Sequence, residues 1–257
     1  MSKLLGKRAL ITAGAQGIGL AISQHLLRAG CDLVVHYHSS VEAADSLKAE
    51  ADRIGRRCAT LSGDLTETEA CDRIVHAAVQ FFGGLDIVIN NAGSLIARRS
   101  LADADDEFWS QTMSLNLGSA RRVTRAAAPH LATAAQASGG ASIVNLASLA
   151  GRKGGHTGSL AYATAKGAML TFTRALATEL GPMGIRVNAL APGLILGTHF
   201  HNTHTTPEAA RLTVAGIPLG RAGNADDVAR AAVFLAGEFD GFITGATLDI
   251  NGGVYMT

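Results

Sequence analysis

Seven short apolar runs recur along the chain, each separated from the next by a longer segment whose apolar residues return every three to four positions. This alternation restricts the fold more than any other feature, because strands joined through helices pair in parallel. The runs fall at 8–12, 32–37, 58–62, 86–90, 141–147, 185–190 and 247–250. Helical periodicity covers 17–29, 41–54, 67–82, 107–137, 161–180 and 225–236. The first helix should end at Gly30, a residue suited to the position after a helix C-terminus. Runs such as Ile87-Val88-Ile89 are continuously apolar, which is the pattern of a parallel sheet covered on both faces. The expected architecture is therefore α/β, a doubly wound, seven-stranded parallel sheet with helices on both faces. A single domain over 1–257 is expected, because no repeat or low-complexity linker interrupts the pattern. The stretch from Gly193 to Gly216 breaks it, with only weak helical character near 208–214. A connection of that length suggests a substrate lid at about 194–216.

Composition removes several classes of function. Lys plus Arg number 22 and Asp plus Glu 21, for a formal charge of +1, so the basic footprint of a nucleic-acid binder is missing. The cysteines are Cys31, Cys58 and Cys71, odd in number and without a CxxC pair; neither a disulfide framework nor a thiolate metal site is expected. The first seven residues hold no leader-like apolar stretch, and no run reaches the length of a membrane span. The expectation is a cytoplasmic protein with no membrane and no nucleic-acid partner.

Two places carry chemistry. Directly after the first strand comes Thr12-Ala13-Gly14-Ala15-Gln16-Gly17-Ile18-Gly19, opening a helix. Glycines there let the backbone approach a pyrophosphate, whose charge the helix N-terminus stabilises. Strand, Gly-rich turn and helix stand in the order that a Rossmann-type dinucleotide site requires. Further on, Tyr162 and Lys166 lie at i and i+4 and so project from one helical face. A free phenol titrates near ~10. A neighbouring ammonium would favour the phenolate and bring it toward neutral pH.

With these strings in view, the chain resembles the short-chain dehydrogenase/reductase family in its compact form, over nearly its whole length. The likeness extends to 3-oxoacyl carrier-protein reductases. Ala13 stands where the family's first glycine is usual. Asp64-Leu65, Asn90-Asn91-Ala92-Gly93 and Pro192-Gly193 follow in the family's order, each at the end of a strand. The resemblance implies an oxidoreductase that moves a hydride between a nicotinamide dinucleotide and a ketone or secondary alcohol. It assigns catalysis to Asn116, Ser148, Tyr162 and Lys166, with Tyr162 as acid and base, Ser148 orienting the substrate oxygen, and Lys166 on the nicotinamide ribose. Asn116 would hold a water linking Lys166 to solvent. The cofactor would lie against Ala13, Gly14, Gln16, Gly17, Ile18, Gly19, Tyr37, His38, Ser39, Ser40, Asp64, Leu65, Asn91, Ala92, Gly93, Tyr162, Lys166, Pro192, Gly193 and Ile195. Leu95, Ser148, His156, Tyr162 and His199 are the candidate substrate contacts.

NADP(H) is the expected cofactor. An NAD-selective site places a carboxylate at the end of the second strand, but Tyr37 occupies that slot and the next carboxylate is Glu42. His38, Ser39 and Ser40 offer donors to a 2′-phosphate. NAD remains possible, since Gln16 and Ser39 stand where NADP sites often carry arginine. His199, His201 and His204 invite a metal reading, yet no Cys or carboxylate accompanies them before Glu208, and no metal is assigned. In the family pattern a threonine follows the Pro-Gly by four residues; here Gly197 holds that place and Thr198 comes next. Two alternatives stay open: an NAD(H)-dependent polyol or sugar dehydrogenase of the same fold, and a catalytically silent dinucleotide sensor. An epimerase of the family's longer branch would need a larger C-terminal region. The tail from Ile243 to Gly253 resembles a family segment that packs between subunits, which implies a homotetramer with helices 118–137 and 161–180 as candidate interface.

Overall fold

Seven parallel strands form one sheet in the computed structural model, which describes residues 4–238 and 241–256. Residues 1–3, 239–240 and 257 belong to the expected 1–257 domain but lie outside the described residues. The strands are β1 (Arg8–Ile11), β2 (Asp32–Tyr37), β3 (Cys58–Ser62), β4 (Ile87–Asn90), β5 (Ala141–Leu146), β6 (Ile185–Pro192) and β7 (Thr247–Ile250), in the spatial order β3-β2-β1-β4-β5-β6-β7. All six neighbouring pairs are parallel. The order reverses direction between β1 and β4, where a ligand crevice opens beyond the carboxyl ends of the strands.

Successive residues of a strand face opposite sides of the sheet, and here both sides are apolar. Ala9, Ile11, Leu33, Val35, Ile87 and Ile89 feed one core, together with α1 (Gly17–Arg28), α2 (Val41–Arg53) and α10 (Ala225–Val233). Leu10, Val34 and Val88 feed the other, under α3 (Thr68–Phe82), α5 (Ser119–Ser138) and α7 (Leu160–Leu180). The continuous apolar runs have this cause. Each fully buried Leu or Ile contributes roughly 1.5–3 kcal/mol relative to exposure. Gly30 follows the end of α1 with φ +99, the left-handed conformation expected there.

Three expectations need correction. The segment 107–137 is not one regular helix: α4 (Asp106–Met113) passes through a π-turn over Ser114–Gly118 before α5 begins. The Gly193–Gly216 stretch is more ordered than its weak periodicity implied, holding α8 (His199–His204) and α9 (Pro207–Ala215). Side chains supply the signal that periodicity missed, since Thr198 and Thr206 accept from the backbone N–H of His201 and Ala209 and cap the two helices. Finally, β6 runs on through Ala191 and Pro192, paired with Asp249 and Ile250 of β7. Pro192 is tolerated there because β5 pairs with β6 no further than Leu190, which leaves that side of β6 without a ladder partner for a missing N–H. The short α6 (Leu149–Lys153), which follows β5, carries too few residues for a periodic signal.

Candidate active site

The crevice at the strand ends is built from two halves. In the first, the chain leaves β1 at Thr12, whose hydroxyl donates to the Ile89 carbonyl and accepts from the N–H groups of Asn91 and Ala92. Asn91 in turn donates through Nδ2 to the carbonyls of Thr12 and Ala13. The two loops flanking the switch point are thus stitched together. Ala13 has φ 49 and its N–H donates to Nδ1 of His36 at 3.0 Å, while Nε2 of His36 lies 3.0 Å from the Gly63 carbonyl. This pairing requires the neutral imidazole, with its proton on Nε2. Burial moves the His36 pKa the same way, downward. A Cβ on Gly19 would come within 2.2 Å of the Ala13 carbonyl oxygen, so only glycine fits that close approach. Gln16, at the N-cap of α1, makes no side-chain capping bond, and no acidic residue occupies the first turn. The first-turn amides are therefore left for a ligand, which fits the pyrophosphate of a dinucleotide.

Around this cradle, Gly14 is buried, Gly17 has φ +51, and Ile18 is half-buried. At the end of β2, Tyr37 is half-buried, His38 and Ser39 are exposed, and the Ser40 hydroxyl donates to Gln16 Oε1 at 3.2 Å. Asp64 is exposed, and its Oδ1 accepts from both the N–H and the hydroxyl of Thr66, which lowers its pKa. Leu65 is buried. Pro192 is buried, Gly193 donates its N–H to the Ile250 carbonyl, and Ile195 is buried in a bridge to Gly223. The threonine displaced by one position still reaches the cradle. Thr198 is buried, with Cβ 3.6 Å from where a Gly17 Cβ would stand.

The second half gathers Asn116, Ser148, Tyr162 and Lys166. Ser148 caps α6, its hydroxyl accepting from the Ala150 N–H at 3.1 Å. Tyr162 and Lys166 lie one turn apart on α7, with the ammonium 5.8 Å from the centre of the phenol ring. Lys166 is buried and donates to the Leu146 carbonyl at 2.7 Å; burial brings its pKa down to about 8. Asn116 is wholly buried in the π-turn. Its Oδ1 accepts from the Ser94 N–H, and its Nδ2 donates to the carbonyls of Ser94 and Thr112. A Cβ on Gly93 would lie 2.7 Å from Asn116 Oδ1 and 3.0 Å from Lys166 Nζ, so both side chains converge on that glycine. The Tyr162 pKa moves the opposite way to the sequence expectation. Burial pushes it up to about 12, only partly offset by the Ser148 hydroxyl. Lys166 is turned toward Leu146 and is itself a weakened cation, so its field does not win here.

The connection after β6 covers this half. Phe200 of α8 lies 5.7 Å, centre to centre, from Tyr162, and the rings of His201 and His204 pack on Phe200 at 5.1 and 5.3 Å. His199 and His156 are exposed, and Leu95 is buried.

A family model described as Enoyl-(Acyl carrier protein) reductase matches residues 12–255. An uncharacterized oxidoreductase of Mycobacterium tuberculosis is 36% identical over 99% of this chain and 94% of its own. The chain belongs to the short-chain dehydrogenase/reductase family. Among solved members, an NADH-dependent reductase complexed with NAD is 35% identical, with TM-score 0.89 over 100% of this chain and 99% of that one. A short-chain dehydrogenase from Burkholderia cenocepacia in complex with NADP is 33% identical, with TM-score 0.88 over 98% and 99%. This member of the family is accordingly an oxidoreductase that depends on a nicotinamide dinucleotide.

Several working residues of this dehydrogenase/reductase carry no sequence signal of their own. His36 helps Thr12 hold the glycine turn, and Thr124, Asn145 and Thr173 join Asn90 in a buried chain linking β4, β5, α5 and α7. Asn90 Nδ2 donates to Thr124 and to Asn145 Oδ1, and Asn145 Nδ2 donates to Thr173. The polar residue within an otherwise apolar strand, as in Ile143-Val144-Asn145-Leu146, was the only available hint.

Proposed function

We propose that the chain is an NADP(H)-dependent reductase and dehydrogenase, acting on a ketone and the corresponding secondary alcohol with Tyr162 as acid and base. The observation that carries this reading is the convergence of four side chains from three separate elements. Asn116 comes from the π-turn, Ser148 from the end of β5, and Tyr162 and Lys166 from successive turns of α7; Asn116 and Lys166 meet at Gly93, and Ser148 hydrogen-bonds Tyr162. A bound nicotinamide supplies the hydride in reduction and accepts it in oxidation. Tyr162 gives its phenolic proton to the substrate oxygen as the carbon receives the hydride, and takes the proton back in the reverse direction. Ser148 holds that oxygen. Lys166 binds ribose hydroxyls and replenishes the proton through a water on Asn116. The 194–216 segment serves as the substrate lid, a role supported by the packing of Phe200 on Tyr162.

NADP(H) is favoured because β2 ends without a carboxylate and leaves His38 and Ser39 exposed as donors. The second reading, an NAD(H)-dependent polyol or sugar dehydrogenase, draws on the absence of any arginine at Gln16 and Ser39. A homotetramer is part of the proposal; β7 is an edge strand whose four residues are all half-buried, a surface suited to a second copy.

Tyr162→Phe tests the assignment. Turnover should fall by at least about a hundredfold, with NADPH affinity by fluorescence titration within about twofold of the unaltered enzyme. Near-normal turnover in the variant would falsify the acid–base role. In parallel, kcat/KM should favour NADP(H) over NAD(H); the reverse preference overturns the cofactor choice.

A further inference from the structure

Beside α8, whose Phe200 packs on Tyr162, stands a cation with no carboxylate of the described residues paired to it. Arg98 is exposed on the loop that follows β4, and that loop is tied to the start of α7 by the Arg99–Ser159 bridge and by the Arg99 N–H on the Gly158 carbonyl. Its guanidinium donates to the Thr157 carbonyl at 3.1 Å and to the His204 carbonyl at 3.2 Å. Those two bonds anchor it between the loop preceding α7 and the C-terminal end of α8. Three of its five N–H donors are left without a protein acceptor among the described residues.

Other arginines of the chain are neutralised in a way that Arg98 is not. Arg99 pairs with Asp105, Arg152 with Asp249 and Arg211 with Glu208, whereas no carboxylate of the described residues lies within ion-pair distance of Arg98. The two imidazoles packed on Phe200 sense the same field. Burial, then His204 and Arg98, pull His201 down to about 4; burial, then Arg98 and His199, lower His204. No carboxylate is among the groups that shift these two imidazoles.

We propose that Arg98 receives the carboxylate of the carbonyl substrate, so that the enzyme acts on an oxo acid whose charged end lies beyond Phe200 from the reacting carbon. A planar guanidinium already held by two backbone carbonyls presents its remaining donors to a carboxylate without further ordering. The Phe200 ring, between Tyr162 and His204, packs against the part of the substrate that joins the two ends. This inference rests on the placement of the carbonyl at Tyr162.

The test compares oxo acids of increasing chain length with their methyl esters, reduced by the full chain with NADPH. For the best length, kcat/KM should be at least tenfold higher for the acid than for the ester. That ratio should fall to near one in Arg98→Gln and be partly kept in Arg98→Lys. An Arg98 that only pins α8 would lower acid and ester together and leave the ratio at its original value, which overturns the proposal. So does a ratio near one in the unaltered enzyme, or turnover of neutral ketones with none of any oxo acid. Tyr162→Phe separates the two claims: retained turnover there sinks the acid–base reading, while the acid-to-ester ratio judges Arg98 alone.

Discussion

Ala13 carries a left-handed backbone, φ 49, at the glycine turn proposed to meet the dinucleotide. For an L-residue with a Cβ that conformation costs roughly 1–2 kcal/mol. It persists because the His36 imidazole accepts the Ala13 N–H and the Ala13 carbonyl accepts from Asn91. Glycine would remove the strain, less the ~0.5–1 kcal/mol of extra entropy it loses on folding. Ala13→Gly should therefore raise the thermal midpoint by about 1–4 °C; differential scanning calorimetry showing a lower midpoint would contradict this. The proposed catalytic pair makes a second residue-scale prediction. With the Tyr162 pKa at about 12 in the ligand-free site, the phenol is protonated throughout neutral pH. Reduction uses the protonated form and should be nearly independent of pH there, whereas alcohol oxidation uses the phenolate and should climb as pH rises. Initial-rate profiles in both directions check it, and an oxidation rate that falls with pH would count against Tyr162 as base. The same shifts act on stability with opposite signs. Lys166, lowered from 10.5 to about 8, leaves the unfolded chain holding more protons in that window, so stability rises with pH across it. Tyr162, raised from 10.0 to about 12, makes the folded chain hold more, and stability falls across that range.

At the scale of elements, the site depends on departures from regularity. The π-turn at Ser114–Gly118 is the clearest: one extra residue in the helix turns Asn116 inward, where its amide bonds to both backbone groups of Ser94. The first turn of α10 shows a more conventional device. Asn224 and Asp227 form a capping box, with Arg221 and Arg230 on the Asp227 carboxylate, whose pKa falls to about 2. Asn224→Ala should destabilise the fold by about 1 kcal/mol and lower the midpoint by roughly 2–4 °C, with turnover unchanged. Calorimetry and an activity assay on the same preparation suffice, and an unshifted midpoint would show the cap to be dispensable. Both helices of the 194–216 connection begin on threonine caps, which are visible as residues but become start signals only once the helices are known to follow.

For the whole molecule, sheet order decides where chemistry can happen. β1 and β4 lie side by side although two strands intervene in the chain, and this brings the glycine turn against Asn91 and Ala92. If the half-buried β7 edge is covered by a second copy, light scattering should give the mass of four chains at micromolar concentration; the mass of one chain would refute the tetramer. Local pattern was sufficient for the parallel sheet, its seven strands to within about two residues, the glycine turn and the Tyr162–Lys166 pair. Each of these follows from hydrophobic period, from glycine at a turn, or from spacing along one helix, and none needs a distant partner. Tertiary structure alone decided the rest. The inward turn of Asn116, the His36 clamp, the raised Tyr162 pKa and the unpaired Arg98 beside α8 all depend on residues far apart in sequence. Burial and partner geometry set those properties, and neither is encoded in the spacing of residues along a single segment.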